Sequence, residues 1–261
     1  MRYCQRGQLR VELLESRCNP AGTVSVVQTG SIVRLIGDAA NNGVVVTATG
    51  ANSLTITGDA TTSIAGSTSV SGVTRIYLDL GDGDDTASVT APIPFAGQVI
   101  ARPGKGNDAI SIGNGQYDNS IVVLDDPGDD QVALTNGIYN GQVILRTGGG
   151  NDTVVASLSP FNRDFQLSTG RGDDLVQITQ CTFADRVVLH TDDGNDRLDV
   201  ANTSFAVFSL FDLGSGHDKA NFNTVSFPFG KPVSVLIGGL GVDRVTLTAV
   251  TGTLITNGFF P

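Results

Sequence analysis

The chain has 261 residues, of which 40% are hydrophobic, so it is long enough to bury the core of one extended domain. It carries 16 Lys and Arg against 26 Asp and Glu, and the resulting net charge of −10 argues against nucleic acid as a partner. No stretch approaches the roughly 20 apolar residues that a membrane span needs. Three cysteines, Cys4, Cys18 and Cys181, do not make a disulfide framework; Cys181 is expected in the core, and a Cys4–Cys18 pair is left open.

Residues 1–22 form a separate N-terminal segment that contains four arginines but no apolar stretch typical of a secretory signal. Residues 6–22 read RGQLRVELLESRCNPAG. This run resembles the N-terminal segment of many exported and cell-surface proteins of planctomycete bacteria, whose pattern is L-E-x-L-E-x-R-x-x-P-A, with Val11 in place of the first Leu. The resemblance implies a secreted or cell-surface protein. The alternative is a segment that caps the first coil of a repeat, and both can hold.

Residues 23–75 have the composition of strands but lack an acidic turn. Val, Ile and Thr recur in IVRLI (Ile32 to Ile36), VVVTAT (Val44 to Thr49) and SLTIT (Ser53 to Thr57). We interpret this part as two or so degenerate coils that begin a stack.

Residues 76–261 contain a glycine-rich turn that ends in aspartate and recurs eight times. The intervals between successive final aspartates are 23, 22, 22, 22, 22, 22 and 25 residues. A fixed period of this size indicates a stack of coils. The final aspartates are Asp85, Asp108, Asp130, Asp152, Asp174, Asp196, Asp218 and Asp243.

Each repeat has an apolar pair before the aspartate, such as Val143 and Leu145, and another after it, such as Val154 and Ala156. A spacing of two residues places both members of a pair on one face of a strand. Two short strands per repeat, stacked in register, predict an all-β fold: a single right-handed parallel β-helix, or β-solenoid, with coils of about 22 residues. A partial ladder of asparagines, Asn114, Asn136 and Asn202, is also expected.

Aromatic residues lie nine positions after the aspartate in six repeats. They are either an internal stacked ladder, which we favour, or an exposed track for sugars. The residues are Tyr117, Tyr139, Phe161, Phe183, Phe205 and Phe227.

The turns fit x-G-x-G-x-D-x-U-x, where U is a large apolar residue, as in TGGGNDTVV (Thr147 to Val155). This pattern resembles the nonapeptide of the RTX (repeats-in-toxin) calcium-binding family. The resemblance implies that the eight aspartates and backbone carbonyls bind several Ca²⁺ ions between stacked turns. This chain differs from that family because it has one nonapeptide per coil, so at most one edge could carry ions.

Electrostatics independently favours a cation, because stacked carboxylates repel one another and oxygen-rich turns suit Ca²⁺. Further acids at Asp84, Asp129 and Asp173 add to the repulsion, whereas Lys105 and Arg171 reduce it. The alternative is that each aspartate only closes its turn by accepting backbone hydrogen bonds.

The sequence predicts no catalytic residues, because every acidic cluster belongs to the repeat and His190 and His217 lie beside or within turns. We therefore expect a non-enzymatic, secreted or cell-surface, calcium-binding module with a structural or adhesive role. Its expected partners are calcium, a cell-surface polysaccharide or protein, and further copies of itself end to end. The alternative is a carbohydrate-active or carbohydrate-binding β-helix of the pectate-lyase kind.

Overall fold

The computed structural model describes residues 22–230 and 233–260, and within these ranges the chain forms strands and no helix. The N-terminal segment that resembles an export signal, including Cys4 and Cys18, lies outside the described residues except for Gly22. The strands wind about eight times into a parallel β-solenoid, which confirms the predicted fold class.

The strands are short, and most coils contain one strand in each of two walls. In chain order they are β1 (Gly22–Thr29), β2 (Ile32–Ile36), β3 (Gly43–Gly50), β4 (Ser53–Gly58), β5 (Thr62–Gly66), β6 (Ser69–Ser71), β7 (Arg75–Asp82), β8 (Thr86–Thr90), β9 (Gln98–Lys105), β10 (Ala109–Tyr117), β11 (Ile121–Leu124), β12 (Gln131–Tyr139), β13 (Val143–Arg146), β14 (Thr153–Ser157), β15 (Pro160–Phe161), β16 (Phe165–Ser168), β17 (Leu175–Thr179), β18 (Thr182–Phe183), β19 (Val187–His190), β20 (Arg197–Phe205), β21 (Ser209–Asp212), β22 (Ser215–Gly216), β23 (Lys219–Ser226), β24 (Ser234–Ile237), β25 (Leu240–Gly241), β26 (Asp243–Thr248), β27 (Leu254–Asn257) and β28 (Phe259–Phe260).

Two large sheets form the walls of the solenoid. Wall A has twelve strands in the order β27-β24-β21-β19-β16-β13-β11-β9-β7-β2-β1-β5. Wall B has fourteen strands, twelve of them in the order β28-β26-β23-β20-β17-β14-β12-β10-β8-β3-β4-β6, with β15 and β18 beside this path. The strands β22 and β25 pair separately at the turn edge.

The apolar pairs predicted from the sequence line the interior in continuous rows. In wall A the register pairs Ile121 with Val143, Val143 with Phe165 and Phe165 with Val187, and all four side chains are buried. The parallel pairing brings equivalent residues together, so one apolar position in the repeat becomes one filled row of the core.

The aromatic residues form the internal ladder, and the alternative of an exposed sugar-stacking track is wrong. All six rings are buried, and successive ring centroids lie 4.8–5.5 Å apart with interplanar angles of 5–9°. The hydroxyl of Tyr117 donates to the carbonyl of Gly113, 2.8 Å away, and Tyr139 donates to Ile112, so the two phenols are also satisfied.

The backbone is left-handed six positions after the aspartate, which explains the partial asparagine ladder. Asn114, Asn136 and Asn202 have φ near 50°, and the amide of Asn136 donates to the side-chain oxygen of Asn114 at 3.2 Å. Asparagine tolerates this conformation better than most residues do. Leu158, however, has a similar φ of 52°, so the left-handed backbone is also present in a coil that has no asparagine at this position.

Residues 23–75 form strands as expected, but their topology corrects the interpretation of two degenerate coils. Only β2 and β3 form a coil, pairing in parallel with β7 and β8. The strand β1 folds back antiparallel on β2, and β4 folds back on β3. The reason is the two-residue connections Gly30–Ser31 and Ala51–Asn52, because such short loops join antiparallel strands and cannot make a parallel crossover.

Candidate functional site

The eight predicted metal ligands form a single buried line along the turn edge, which we call the inner ladder. The inner ladder consists of Asp85, Asp108, Asp130, Asp152, Asp174, Asp196, Asp218 and Asp243, whose exposed fractions are 0–2%. In each case Oδ1 accepts a hydrogen bond from the backbone N–H of the inner-ladder aspartate one coil earlier, at 2.7–2.9 Å. The first carboxylate, that of Asp85, accepts from Asn42 at 2.7 Å. The carboxylates therefore join adjacent coils rather than closing their own turns.

Glycines allow the turns to stack this closely. In the turn Gly148–Gly149–Gly150, the first and third residues have φ of 108° and 138°. A Cβ on Gly150 would lie 2.0 Å from the carbonyl oxygen of Gly128 in the preceding coil, whereas one on Gly149 would meet nothing closer than 3.7 Å. The third position of the turn thus needs glycine for both backbone conformation and space, whereas the first position also accepts aspartate, as at Asp126 and Asp192.

The second oxygen of nearly every inner-ladder carboxylate has no hydrogen-bond partner among the described residues. The one exception is Asp152, whose Oδ2 accepts from the buried hydroxyl of Thr147. The equivalent hydroxyls of Thr169 and Thr191 lie close enough to Asp174 and Asp196 to lower the pKa of each, but they donate to backbone carbonyls of the next coil. A buried polar atom without a partner costs free energy, so this row of atoms is a structural anomaly that a ligand would relieve. The unpartnered atoms are Oδ2 of Asp85, Asp108, Asp130, Asp174, Asp196, Asp218 and Asp243.

Burial, together with repulsion from nearby carboxylates, disfavours the charged form of seven inner-ladder carboxyls, those from Asp85 to Asp218. Burial is the main cause that raises the pKa of Asp130 to about 7, and repulsion from Asp152 and Asp108 adds to it. Burial likewise raises the pKa of Asp174 to about 7 and that of Asp196 to about 6, again with a contribution from neighbouring ladder carboxylates. These groups titrate near neutral pH, where a divalent cation would favour the ionised form.

A second line of polar side chains lies on the solvent side of the same turns, and we call it the outer ladder. Each side chain accepts, through Oδ1 or Nδ1, a hydrogen bond of 2.7–3.0 Å from a backbone N–H one coil later, the reverse of the inner ladder's direction. All of its members are exposed, and aspartate alternates with asparagine from Asp84 to Asn195, after which His217 ends the pattern. In order they are Asp84, Asn107, Asp129, Asn151, Asp173, Asn195 and His217.

The two ladders differ in a way that bears on chemistry. Asparagine serves the outer ladder as well as aspartate does, because its amide oxygen accepts the same N–H bond. Alternation keeps outer-ladder carboxylates from lying in adjacent coils, which lowers repulsion. The inner ladder instead retains aspartate in all eight coils, although the repulsion there is stronger. Hydrogen bonding alone therefore does not explain the inner carboxylates, and a line of buried carboxylate oxygens could hold metal ions.

Asp125 adds a third carboxylate at one point of this line, and the sequence interpretation did not identify it. One carboxylate oxygen from each of Asp108, Asp125 and Asp130 lies within 4.8 Å of the others. Oδ1 of Asp125 accepts from the N–H of Asp126 at 3.0 Å, and its Oδ2 is buried without a partner. Burial, with repulsion from Asp130 and Asp108, raises the pKa of Asp125 to about 8.

The remaining candidate residues lie outside this line. Lys105 and Arg171 are exposed and form ion pairs with Asp82 at 3.7 Å and Asp193 at 3.6 Å, so neither neutralises the inner ladder. His190 lies 3.8 Å from Asp212 on the outer side of wall A. Cys181 is buried in the core, as predicted.

No helix capable of crossing a membrane occurs in residues 22–230 and 233–260. Comparison of the chain with protein-family models, with curated proteins and with solved structures gives no match. The likeness to RTX repeats therefore rests on the turn motif and on the buried aspartate line.

Proposed function

We propose that this protein is a calcium-binding β-solenoid that acts as a rigid structural or adhesive module outside the cell. The observation that carries the proposal is the contrast between the two ladders. The exposed ladder alternates Asp with Asn, whereas the buried ladder is Asp in every coil and presents an unpartnered Oδ2 in seven of eight coils.

Calcium suits this arrangement because it takes six to eight oxygen ligands in flexible geometry. The inner-ladder carboxylates offer one free oxygen in each coil except that of Asp152, and the resemblance to RTX turns implies that backbone carbonyls complete the coordination. A cation between coils would offset the repulsion between neighbouring carboxylates and the cost of leaving their Oδ2 atoms unpartnered.

A structural role agrees with the way that the coils are joined. Each boundary between regular coils carries an inner-ladder bond, an outer-ladder bond and, over six coils, a stacked aromatic pair, so neighbouring coils are held on both sides of the core. Weak oxygen-only sites fill at millimolar calcium, as in extracellular modules, and the N-terminal resemblance to exported proteins supports the same location. End-to-end association through the edge strands β27 and β28 stays a prediction.

The six repeat aromatics no longer favour the carbohydrate alternative, because their rings lie inside the solenoid and offer no surface to a sugar. Incubation with polysaccharides and measurement of released sugar would test it directly.

The central experiment is thermal unfolding of the full chain, followed by circular dichroism in calcium, in magnesium and in EDTA. Ligand that binds only the folded state raises the midpoint with concentration. We expect a calcium-specific rise and a smaller effect of magnesium, since magnesium demands a tighter octahedral shell. Equal midpoints in calcium and EDTA would show that the inner ladder acts only as hydrogen-bonding architecture.

A further inference from the structure

One position of the repeat, five residues before each inner-ladder aspartate, lies beside the carboxylates. At this position the hydroxyl of Thr147 reaches Asp152 of its own coil. Only one of the eight residues in this row is acidic. The row consists of Leu80, Pro103, Asp125, Thr147, Thr169, Thr191, Leu213 and Gly238.

Asp125 therefore places a third carboxyl group beside the inner ladder, which the other coils do not have. Its carboxylate meets those of Asp130 in the same coil and Asp108 in the preceding one. The Oδ2 atoms of all three are buried and unpartnered, and Asp108 and Asp130 are each only 1% exposed. No ion pair found among the described residues brings a Lys, Arg or His side chain to any of the three.

We infer that Asp108, Asp125 and Asp130 form one discrete site for a calcium-sized divalent cation, tighter than the sites along the rest of the inner ladder. Carboxylate oxygens that lie within 4.8 Å of one another are close enough to bind one ion with metal–oxygen distances of about 2.4 Å, as for calcium. Magnesium demands a near-ideal octahedral shell and keeps several waters, so a cluster of three protein carboxylates suits calcium better.

The third carboxylate is the reason for the higher affinity, because calcium affinity rises with the charge of the ligand set. Elsewhere along the inner ladder an ion between two coils meets two carboxylates, and here it meets three. The inference rests on the proposed function in one respect, since Asp108 and Asp130 belong to the inner ladder. It differs in predicting a single site of distinct affinity.

The test is isothermal titration of the calcium-free full chain with calcium chloride, comparing wild type with Asp125→Thr and Asp196→Asn. Threonine is the residue of the next three coils, so Asp125→Thr restores the repeat and should fold. We expect one tight site plus weaker sites in wild type. Asp125→Thr should weaken the tight site by roughly 100-fold and leave the weaker ones. Asp196→Asn should retain the tight site and reduce weaker binding.

A gain-of-site variant strengthens the test. Thr169→Asp places a third carboxylate beside Asp174, and by the same geometry beside Asp152, so it should add a second tight site. Melting in EDTA serves as the folding control, and Asp125→Thr should melt at or above the wild-type temperature because it removes a buried carboxyl oxygen that has no hydrogen-bond partner.

The outcomes separate this inference from the proposed function. Weak calcium binding that is identical in wild type and Asp125→Thr would overturn the discrete site and leave the ladder proposal intact. One tight site without weaker binding would support the discrete site and overturn the ladder proposal. No calcium binding by any variant would overturn both.

Discussion

Asp173 and Asp174 are adjacent in the chain, yet their carboxylates lie on opposite sides of the turn and accept hydrogen bonds from opposite neighbouring coils. Asp173 is exposed and accepts from Asn195 of the following coil at 2.7 Å. Asp174 is buried and accepts from Asp152 of the preceding coil at 2.8 Å. One dipeptide thus joins three coils, and its two acids form a matched pair for testing what burial does to a carboxylate.

Replacement of each acid by asparagine should separate a charge effect from a hydrogen-bonding effect. Asp174→Asn keeps the Oδ1 acceptor but removes a carboxylate from the inner ladder, so the calcium-induced rise in melting temperature should shrink. In EDTA at pH 8, relief of repulsion should raise the midpoint by about 2–4 °C, the shift that ~1 kcal/mol produces in a chain of this size. Asp173→Asn should leave both quantities near wild type. Equal effects of the two substitutions on the calcium response would contradict the assignment.

The metal-free protein should lose stability as the pH rises from about 5 to 8. Folding raises the pKa of Asp85, Asp196 and Asp218 to about 6 and of Asp130 and Asp174 to about 7, from an ordinary value of 3.8. The folded state then binds more protons than the unfolded state, so unfolding free energy falls with pH in this window. Melting curves in EDTA at successive pH values measure the slope, and a midpoint that rises from pH 5 to 8 would refute the prediction.

Calcium should reverse this trend. Protons and calcium compete for the same carboxylates, so the calcium-induced increase in melting temperature should grow as the inner ladder ionises.

The glycines of one turn should differ sharply in their tolerance of alanine. Gly150→Ala forces a side chain onto a φ of 138° and a 2.0 Å approach to the carbonyl of Gly128, so we expect a loss of roughly 3 kcal/mol or more. Gly149→Ala meets no atom within 3.7 Å, and other coils carry Arg171 or Asp193 at this position, so it should stay within about 0.5 kcal/mol of wild type. Urea unfolding of both variants measures the difference, and similar losses would show that turn stacking does not limit the repeat.

The asparagine ladder can be extended. Leu158 is 55% exposed and left-handed, so Leu158→Asn should stabilise the fold by about 1 kcal/mol, or about 2–4 °C. Ile138→Asn is the control, because Ile138 is also an exposed apolar residue but lacks a positive φ. If both substitutions raised the melting temperature equally, removal of exposed apolar surface rather than backbone strain would be the cause.

How far the sequence predicts the fold depends on whether one coil resembles the next. Rows such as Ile121–Val143–Phe165 follow from period and strand alternation, and the aromatic ladder follows from the same spacing. The hairpins that β1 forms with β2 and β4 forms with β3 break the period. The two-residue connections in the sequence could have predicted these hairpins, but the strand-like composition of residues 23–75 is the same for hairpins and for coils.

The site was predicted in part for a similar reason. The eight inner-ladder aspartates are visible as a repeat, but their burial and their bonds to a neighbouring coil depend on which side of the turn faces the core. Asp125 occupies the unspecified first position of its nonapeptide. Its role becomes visible only in the structure, where Thr147 contacts Asp152 from the equivalent position.

The outer ladder has two different periods. Its side chains occupy the same position in every coil, but between Asp84 and Asn195 only every second side chain carries a negative charge. Deletion of one coil, for example residues 131–152, would remove Asn151 and leave Asp129 and Asp173 as direct neighbours. Deletion of two consecutive coils would preserve the alternation. Changes in the length of this solenoid in steps of two coils, unlike steps of one, therefore keep outer-ladder carboxylates out of adjacent coils, which sets a rule for building longer or shorter versions.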